Sequence, residues 1–271
     1  MARDCLIFDE ADYHFGSEQD KKSKLILDSM ALRPRCMAVQ AFRFASTQIE
    51  FVKKNFRDAV WLETDNANMV PLHMNHQFKH LQKAERELEL IKLLKNEPMP
   101  TIIFGNSYRE LADVKKILRM YKMPFVKTQK QYGNDDTSKA IHMFESGKCG
   151  GEILGADGGL LLATDKLSRG IDFKRARRVV NWSPPYSLAD YLNRAGRLGR
   201  LGHTSIGQVH TFICGDSGPE AIRRIQVLEE SVRRQVKLHK LDENFNFDQH
   251  EKLNRYKNPS VDSKGEESTP L

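Results

Sequence analysis

TIIFGNSYRELADVKKILRMY, residues 101–121, joins two unlike patterns without a break. The run from Thr101 to Gly105 lacks any charge, which suits a strand buried on both faces. Residues 108–121 then space Leu111, Val114, Ile117 and Leu118 three and four apart, as one inward helix face requires. The same succession recurs along the chain. Strand-like runs at 5–10 (CLIFDE), within 36–46, and at 125–128, 160–164, 179–182 and 207–214 alternate with helix-like stretches at 22–32, 47–56, 81–95, 137–146, 187–198 and 218–238. Thr47 is expected to cap the second helix. Leu81, Ala84, Leu88, Ile91 and Leu94 are expected to line the helix over 81–95, which Pro98 and Pro100 stop. Apolar strands alternating with helices predict an α/β fold, a parallel sheet with helices on both faces. Residues 81–238 hold enough alternations for one complete domain. Residues 1–65 hold two strand–helix units, part of a second sheet. Residues 66–80, with Pro71 as a breaker, read as a linker, and 239–271 as a disordered polar tail.

Composition narrows the function classes. The 271 residues are 39% hydrophobic and 29% charged, which fits a soluble globular chain. No run approaches the roughly 18 apolar residues of a membrane span, so no membrane partner is expected. MARDCLIFDEAD resembles neither a secretory signal nor a transit peptide. Cys5, Cys36, Cys149 and Cys214 form no C-x-x-C pair, which argues against a disulfide framework and for a reducing intracellular compartment. The net charge of +7 is concentrated: residues 166–203 hold nine Lys and Arg against two Asp and Glu. That window predicts a polyanionic partner, with a merely solvated basic face as the alternative.

Three segments carry chemistry. Asp9-Glu10-Ala11-Asp12 follows an apolar strand, where an acid pair suits a hydrated magnesium ion and a water nucleophile; a solvent-facing loop is the alternative. Thr164-Asp165-x-x-x-Arg169-Gly170-x-Asp172 follows LLLAT, where a hydroxyl and a glycine can approach phosphates and an aspartate a ribose; a capped helix start is the alternative. Arg194-x-x-Arg197-x-x-Arg200, with Gly196 and Gly199 between, spaces guanidinium groups so that neighbours on a helix converge on one anion. His73, His76 and His80 would share a helical face for a metal ion if a helix formed there.

The order and spacing of these segments, together with IIFGNS at 102–107, resemble the DEAD-box family of ATP-dependent RNA helicases. DEAD at 9–12 is similar to that family's second motif, and Phe44-Ala45-Ser46-Thr47 sits where its FSAT motif would. IIFGNS resembles the fourth motif, LLATDKLSRGID (161–172) the fifth and YLNRAGRLGR (191–200) the sixth. The stretch 179–202 is most similar to a mitochondrial subgroup concerned with the large ribosomal subunit. The resemblance implies a RecA-like fold, one complete domain plus a partial one before it. It further implies ATP and Mg2+ as cofactors, RNA and ribosomal assembly proteins as partners, a monomer, and a mitochondrial location, with nucleus or cytoplasm as the alternative. Carried over by residue, Asp9 would hold magnesium through water and Glu10 would activate the attacking water. Asp172 would meet the ribose. Arg197 and Arg200 would be arginine fingers on the terminal phosphate, with Phe104 packed near them. Thr164, Gly170 and Asn106 would contact RNA. Asp12, Thr47, Arg169, Asn193 and Arg194 would couple the domains.

The sequence also departs from that family. No G-x-x-x-x-G-K-[ST] occurs in the 271 residues, so the phosphate-cradling loop and its lysine are missing. Ala45 stands for the FSAT serine and Asn193 for the sixth motif's histidine. Asn134-Asp135-Asp136-Thr137 stands where an RNA-binding Q-x-x-R is expected, and Gly150–Gly159 reads as an inserted loop. The expectation is the carboxyl portion of an RNA helicase that does not hydrolyse ATP by itself. A non-enzymatic RNA-binding or ribosome-assembly module is the alternative.

Overall fold

The computed structural model describes residues 5–15, 20–30, 35–40, 46–56, 58–64, 69–71, 73–127, 135–149, 152–153, 159–167, 171–198, 206–215 and 217–235. The chain divides into two compact units, Met1–Met69 and Val70–Leu271.

In the first unit, β1 (Cys5–Phe8) pairs in parallel with β2 (Arg35–Ala38), with α1 (Ala11–His14), α2 (Asp20–Ser29) and α3 (Ser46–Asn55) around them. Its core is aromatic. Phe8, Phe15 and Phe51 pack together, with Phe15 stacked on Phe51 at 4.7 Å, and Ala11 and Val52 complete the cluster. Thr47 lies inside α3 and is exposed, so it is not the expected cap.

The second unit runs β3 (Asn75–Leu81), α4 (Arg86–Asn96), β4 (Thr101–Phe104), α5 (Tyr108–Met120), β5 (Val126–Lys127), α6 (Asp135–Ser146), β6 (Lys148–Cys149), β7 (Glu152–Ile153), β8 (Leu160–Ala163), β9 (Arg178–Asn181), α7 (Leu188–Ala195), β10 (Gln208–Cys214) and α8 (Pro219–Arg234). Six strands form one all-parallel sheet in the order β3-β10-β9-β4-β8-β5. The central strands β4, β8 and β9 are buried at every residue; β4 and β8 are apolar apart from Thr101, whereas β9 buries Arg178 and Asn181 at its two ends. Alternate residues feed opposite faces. Ile103, Leu160, Leu162, Val180 and Phe212 meet α4 and α5 through Leu90, Ile91, Leu94, Leu111, Val114 and Leu118. The opposite face carries Phe104 and Asn181, and there α7 sets Arg194 against both.

Two expectations need correction. The linker expected over 66–80 contains β3, and the helix expected from Leu81 begins at Arg86. β3 reads NHQFKHL, with only Phe78 and Leu81 apolar, because it is an edge strand bonded to β10 alone. An edge strand with half-exposed faces needs no apolar run, so it reads as a connector. His76 and His80 therefore lie on a strand and not on a helical face. Among the described residues, no three His, Cys, Asp or Glu side chains gather to hold a metal ion. The inserted loop of 150–159 contributes β7, paired antiparallel with β6; most of it, and the tail 239–271, lie outside the described residues.

At the amino-terminal end of the sheet a polar cluster forms around a buried arginine and reaches the surface at Glu97. Arg178 is fully buried and donates to Glu97 Oε2 (3.0 Å), to the Glu97 carbonyl (2.9 Å) and to Gln208 Oε1 (3.2 Å). Gln208 Oε1 also meets His210 Nε2 at 3.1 Å. Arg178 thus ties the carboxyl end of α4 to β9 and β10, a favourable place for a cation.

Candidate functional site

In an open parallel sheet the turns beyond the strands' carboxyl ends form the ligand-binding edge. In the second unit the turns after β4, β8 and β9 meet there. After β4, Gly105 lets the chain press onto α5: a Cβ on it would lie 3.0 Å from Leu111 Cδ2. Ser107 then caps α5, its Oγ accepting from the Glu110 amide at 3.2 Å. After β9, Ser187 caps α7 in the same manner, accepting from the Asp190 amide at 3.0 Å. The first cap starts α5 just after Asn106, and the second starts α7, whose last turn carries Arg194.

Arg194 comes from that last turn and is fully buried. Its Nε and Nη2 donate to the two carboxylate oxygens of Asp165 at 2.6 and 2.7 Å, a bidentate pair. Nη2 also donates to Asn106 Oδ1 at 2.7 Å, and Nη1 to Asn181 Oδ1 at 3.2 Å. The Phe104 ring centroid lies 5.3 Å from its Cζ. One guanidinium thereby joins the ends of β4, β8 and β9. Asn106 also donates through Nδ2 to the Pro184 carbonyl at 2.9 Å.

Arg197 is also buried. Its Nε donates to the Asn193 carbonyl at 3.1 Å and its Nη1 to the Ile171 carbonyl. Next to Ile171, Asp172 is exposed. Thr164 is buried, and its carbonyl accepts from the Leu167 amide at 2.9 Å in the short 3-10 turn Asp165–Leu167. Asn193 is half-buried. Arg169, Gly170 and Arg200 lie outside the described residues, as do 44–45 and the 134 end of the expected RNA-binding segment.

In the first unit, the acids Asp9 and Glu10 follow β1 directly. Asp9 is exposed, and its Oδ1 accepts from the Glu10 amide at 2.9 Å. Glu10 takes a left-handed backbone, φ 51° and ψ 53°, which costs a non-glycine residue about 1–2 kcal/mol. The turn is held nonetheless, because the Ala11 amide donates to the Val39 carbonyl and the Val39 amide to the Phe8 carbonyl, each at 2.9 Å. An exposed carboxylate offering hard oxygen fits a hydrated magnesium ion, for which Asp9 is the candidate ligand. The Asp12 side chain lies outside the described residues.

Residues 82–202 match the helicase conserved C-terminal domain. A probable ATP-dependent RNA helicase of Dictyostelium discoideum, ddx49, is 26% identical over 89% of this chain and 45% of its own length. The probable ATP-dependent RNA helicase DDX28 of Mus musculus is 30% identical over 61% of this chain and 30% of its own length. Over residues 82–202 the chain is similar to the helicase C-terminal domain, and the relatives it matches include DEAD-box ATP-dependent RNA helicases. Its fold is RecA-like. The structure of S. cerevisiae Dbp5 bound to RNA and ADP BeF3 superposes with a TM-score of 0.68, at 19% identity, over 84% of this chain and 57% of that one. The chain spans 21% to 45% of the length of the curated relatives it matches.

Several residues expected at the site have partners within the fold. Arg194 and Arg197 do not share a helix face, because α7 ends at Ala195. Phe104 is fully buried and packs against Arg194. Asn106, expected at RNA, spends both ends of its amide on Arg194 and Pro184 and therefore holds the edge together. Asp165, a cap or motif letter in the sequence, is the partner that Arg194 requires. Ser183 and Glu110 were not singled out from sequence; the Ser107-x-x-Glu110 spacing is a capping-box signal that could have marked the latter.

Proposed function

We propose that the chain is the nucleotide- and RNA-contacting carboxyl half of an ATP-dependent RNA helicase. The observation that carries this is Arg194, which draws Asn106, Asp165 and Asn181 into one buried network at the carboxyl edge of the sheet. That network sets the edge from which Thr164, Gly170 and Asp172 would meet the RNA backbone and the ribose. Arg197 and Arg200 are the arginines for the terminal phosphate, and Arg197 must exchange the Ile171 carbonyl for it. ATP and Mg2+ belong to this reading, with Asp9 and Glu10 on the attacking-water side. Because the 271 residues contain no phosphate loop, this chain alone does not turn over ATP.

A second reading, an RNA-binding or ribosome-assembly module without enzymatic activity, is favoured by the same missing loop. Electrostatic binding to phosphates does not need it. Single-stranded RNA titrated with the chain, with and without Mg-ATP, separates the two. Tighter binding with nucleotide supports the helicase half; salt-sensitive binding indifferent to nucleotide supports the module. RNA-stimulated, magnesium-dependent ATP turnover by the 271-residue chain at the rate of complete helicases would contradict the absence of hydrolysis.

A further inference from the structure

Ser107-x-x-Glu110 begins as a capping box, and in such a box the glutamate reaches back to the amide of the capping serine. Here it does something else. Glu110 Oε2 accepts from the amide of Asn106, one residue earlier, at 3.0 Å, and from the hydroxyl of Ser183 at 2.5 Å. Ser183 lies 73 residues away, in the turn between β9 and α7. The same two turns are joined a second time, by Asn106 Nδ2 on the Pro184 carbonyl. With its backbone held by Glu110 and its Nδ2 held by Pro184, Asn106 has one direction left for Oδ1, and that is where Arg194 Nη2 meets it at 2.7 Å.

We propose that Glu110 is a positioning residue for the nucleotide- and RNA-contacting edge, holding the Asn106 and Ser183 turns so that Arg194 is fixed on Asp165. This rests on the function proposed above. Glu110 acts through Asn106 and touches no ligand. A residue that merely caps α5 would affect stability alone. A residue that positions Arg194 changes the guanidinium's protection and, through it, the affinity of the edge.

The test uses the 15N-labelled 271-residue chain, reading hydrogen exchange at Arg194 Nε, with the resonance assigned by its loss in Arg194→Lys. Fluorescein-labelled decauridylate supplies the second readout. Glu110→Ala is expected to speed Arg194 Nε exchange by about tenfold and to weaken decauridylate binding about fivefold. Ser183→Ala is expected to do the same to a lesser degree, and it serves if Glu110→Ala does not fold. Glu110→Gln, which keeps an acceptor oxygen, restores most of both. Ser107→Ala removes the helix cap, lowers the unfolding midpoint and leaves both readouts in place. Unchanged Arg194 exchange in Glu110→Ala and Ser183→Ala overturns the proposal. Faster exchange with unchanged RNA affinity overturns the link from positioning to binding. If the wild-type chain fails to bind decauridylate, the proposed function falls, and the exchange measurement by itself still decides whether Glu110 fixes Arg194.

Discussion

Arg194 has no access to solvent, so its charge is tolerable only because Asp165 and two asparagine carbonyls surround it. Removing one partner strands the other in the interior, which costs about 3–5 kcal/mol. Asp165→Ala is therefore expected to lower the unfolding midpoint sharply in a thermal scan, whereas Asp172→Ala, at an exposed position, is expected to leave it almost unchanged. A second titratable residue makes stability depend on pH. Burial, reinforced by the charges of Arg178 and Lys79, pushes His210 down to about 3 from the ordinary 6.5. The folded chain thus binds fewer protons than the unfolded chain between those values. The stabilisation is fully present above about pH 6.5 and is lost as pH falls toward 3. Between pH 7 and pH 4 the loss from this group is at most about 3 kcal/mol. Burial lowers His76 too, so its contribution has the same sign. Urea unfolding at the two pH values reads the difference, and His210→Gln is expected to flatten it. Neither group's role was legible in the sequence. The arginine spacing of three suggested convergence on an external anion, whereas the partner that decides Arg194's direction lies 29 residues earlier.

At the scale of elements, the helix over 108–121 was legible because one face does one job: Leu111, Val114, Ile117 and Leu118 are the buried residues of α5. β4 and β8 were legible for the complementary reason, being buried on both faces with apolar runs to match, and β9 through Val179 and Val180. β3 was hidden by its position, since an edge strand supplies one ladder and half-exposed faces. Its polar residues also serve local partners, as when His76 meets the Tyr191 hydroxyl at 2.7 Å and the Pro71 carbonyl at 2.8 Å. In α4, Ile91 and Leu94 are buried as expected, but Leu88 is 63% exposed, while Leu90 and Leu93 turn inward. The helix starts later than expected, which rotates the choice of inner face. Helix caps give an element-level prediction. Ser187→Ala removes the acceptor for the Asp190 amide and is expected to cost about 1 kcal/mol of stability. Differential scanning calorimetry reads it as a lower midpoint; an unchanged midpoint would show that α7 is held by Tyr191 and Arg194 packing alone.

For the whole molecule, charge needs reinterpretation. The window 166–203 carries the full net excess in sequence, yet Arg178, Arg194 and Arg197 of its nine cations are buried. Arg178 and Arg194 thus serve the fold and Arg197 is turned onto the Ile171 carbonyl, so the surface left for a polyanion is smaller than the count suggests. RNA affinity should fall with added salt as a handful of counterions is released, with a shallower slope than nine contacts would give. A slope of log affinity against log salt near that for nine phosphates would contradict this. The sequence motifs thus identified the edge, while the division of labour on it, ligand-facing or structural, depended on packing between distant turns.

RNA is proposed to meet the carboxyl edge of the six-stranded sheet. The most direct measurement is photocrosslinking of a thiouridine-substituted single-stranded RNA to the 271-residue chain, with the attachment points mapped by mass spectrometry. The account predicts attachment along 164–172 and 193–200, reduced when Asp165 is replaced by alanine. Attachment confined to the amino-terminal end of the sheet, around Arg178 and Glu97, would contradict it.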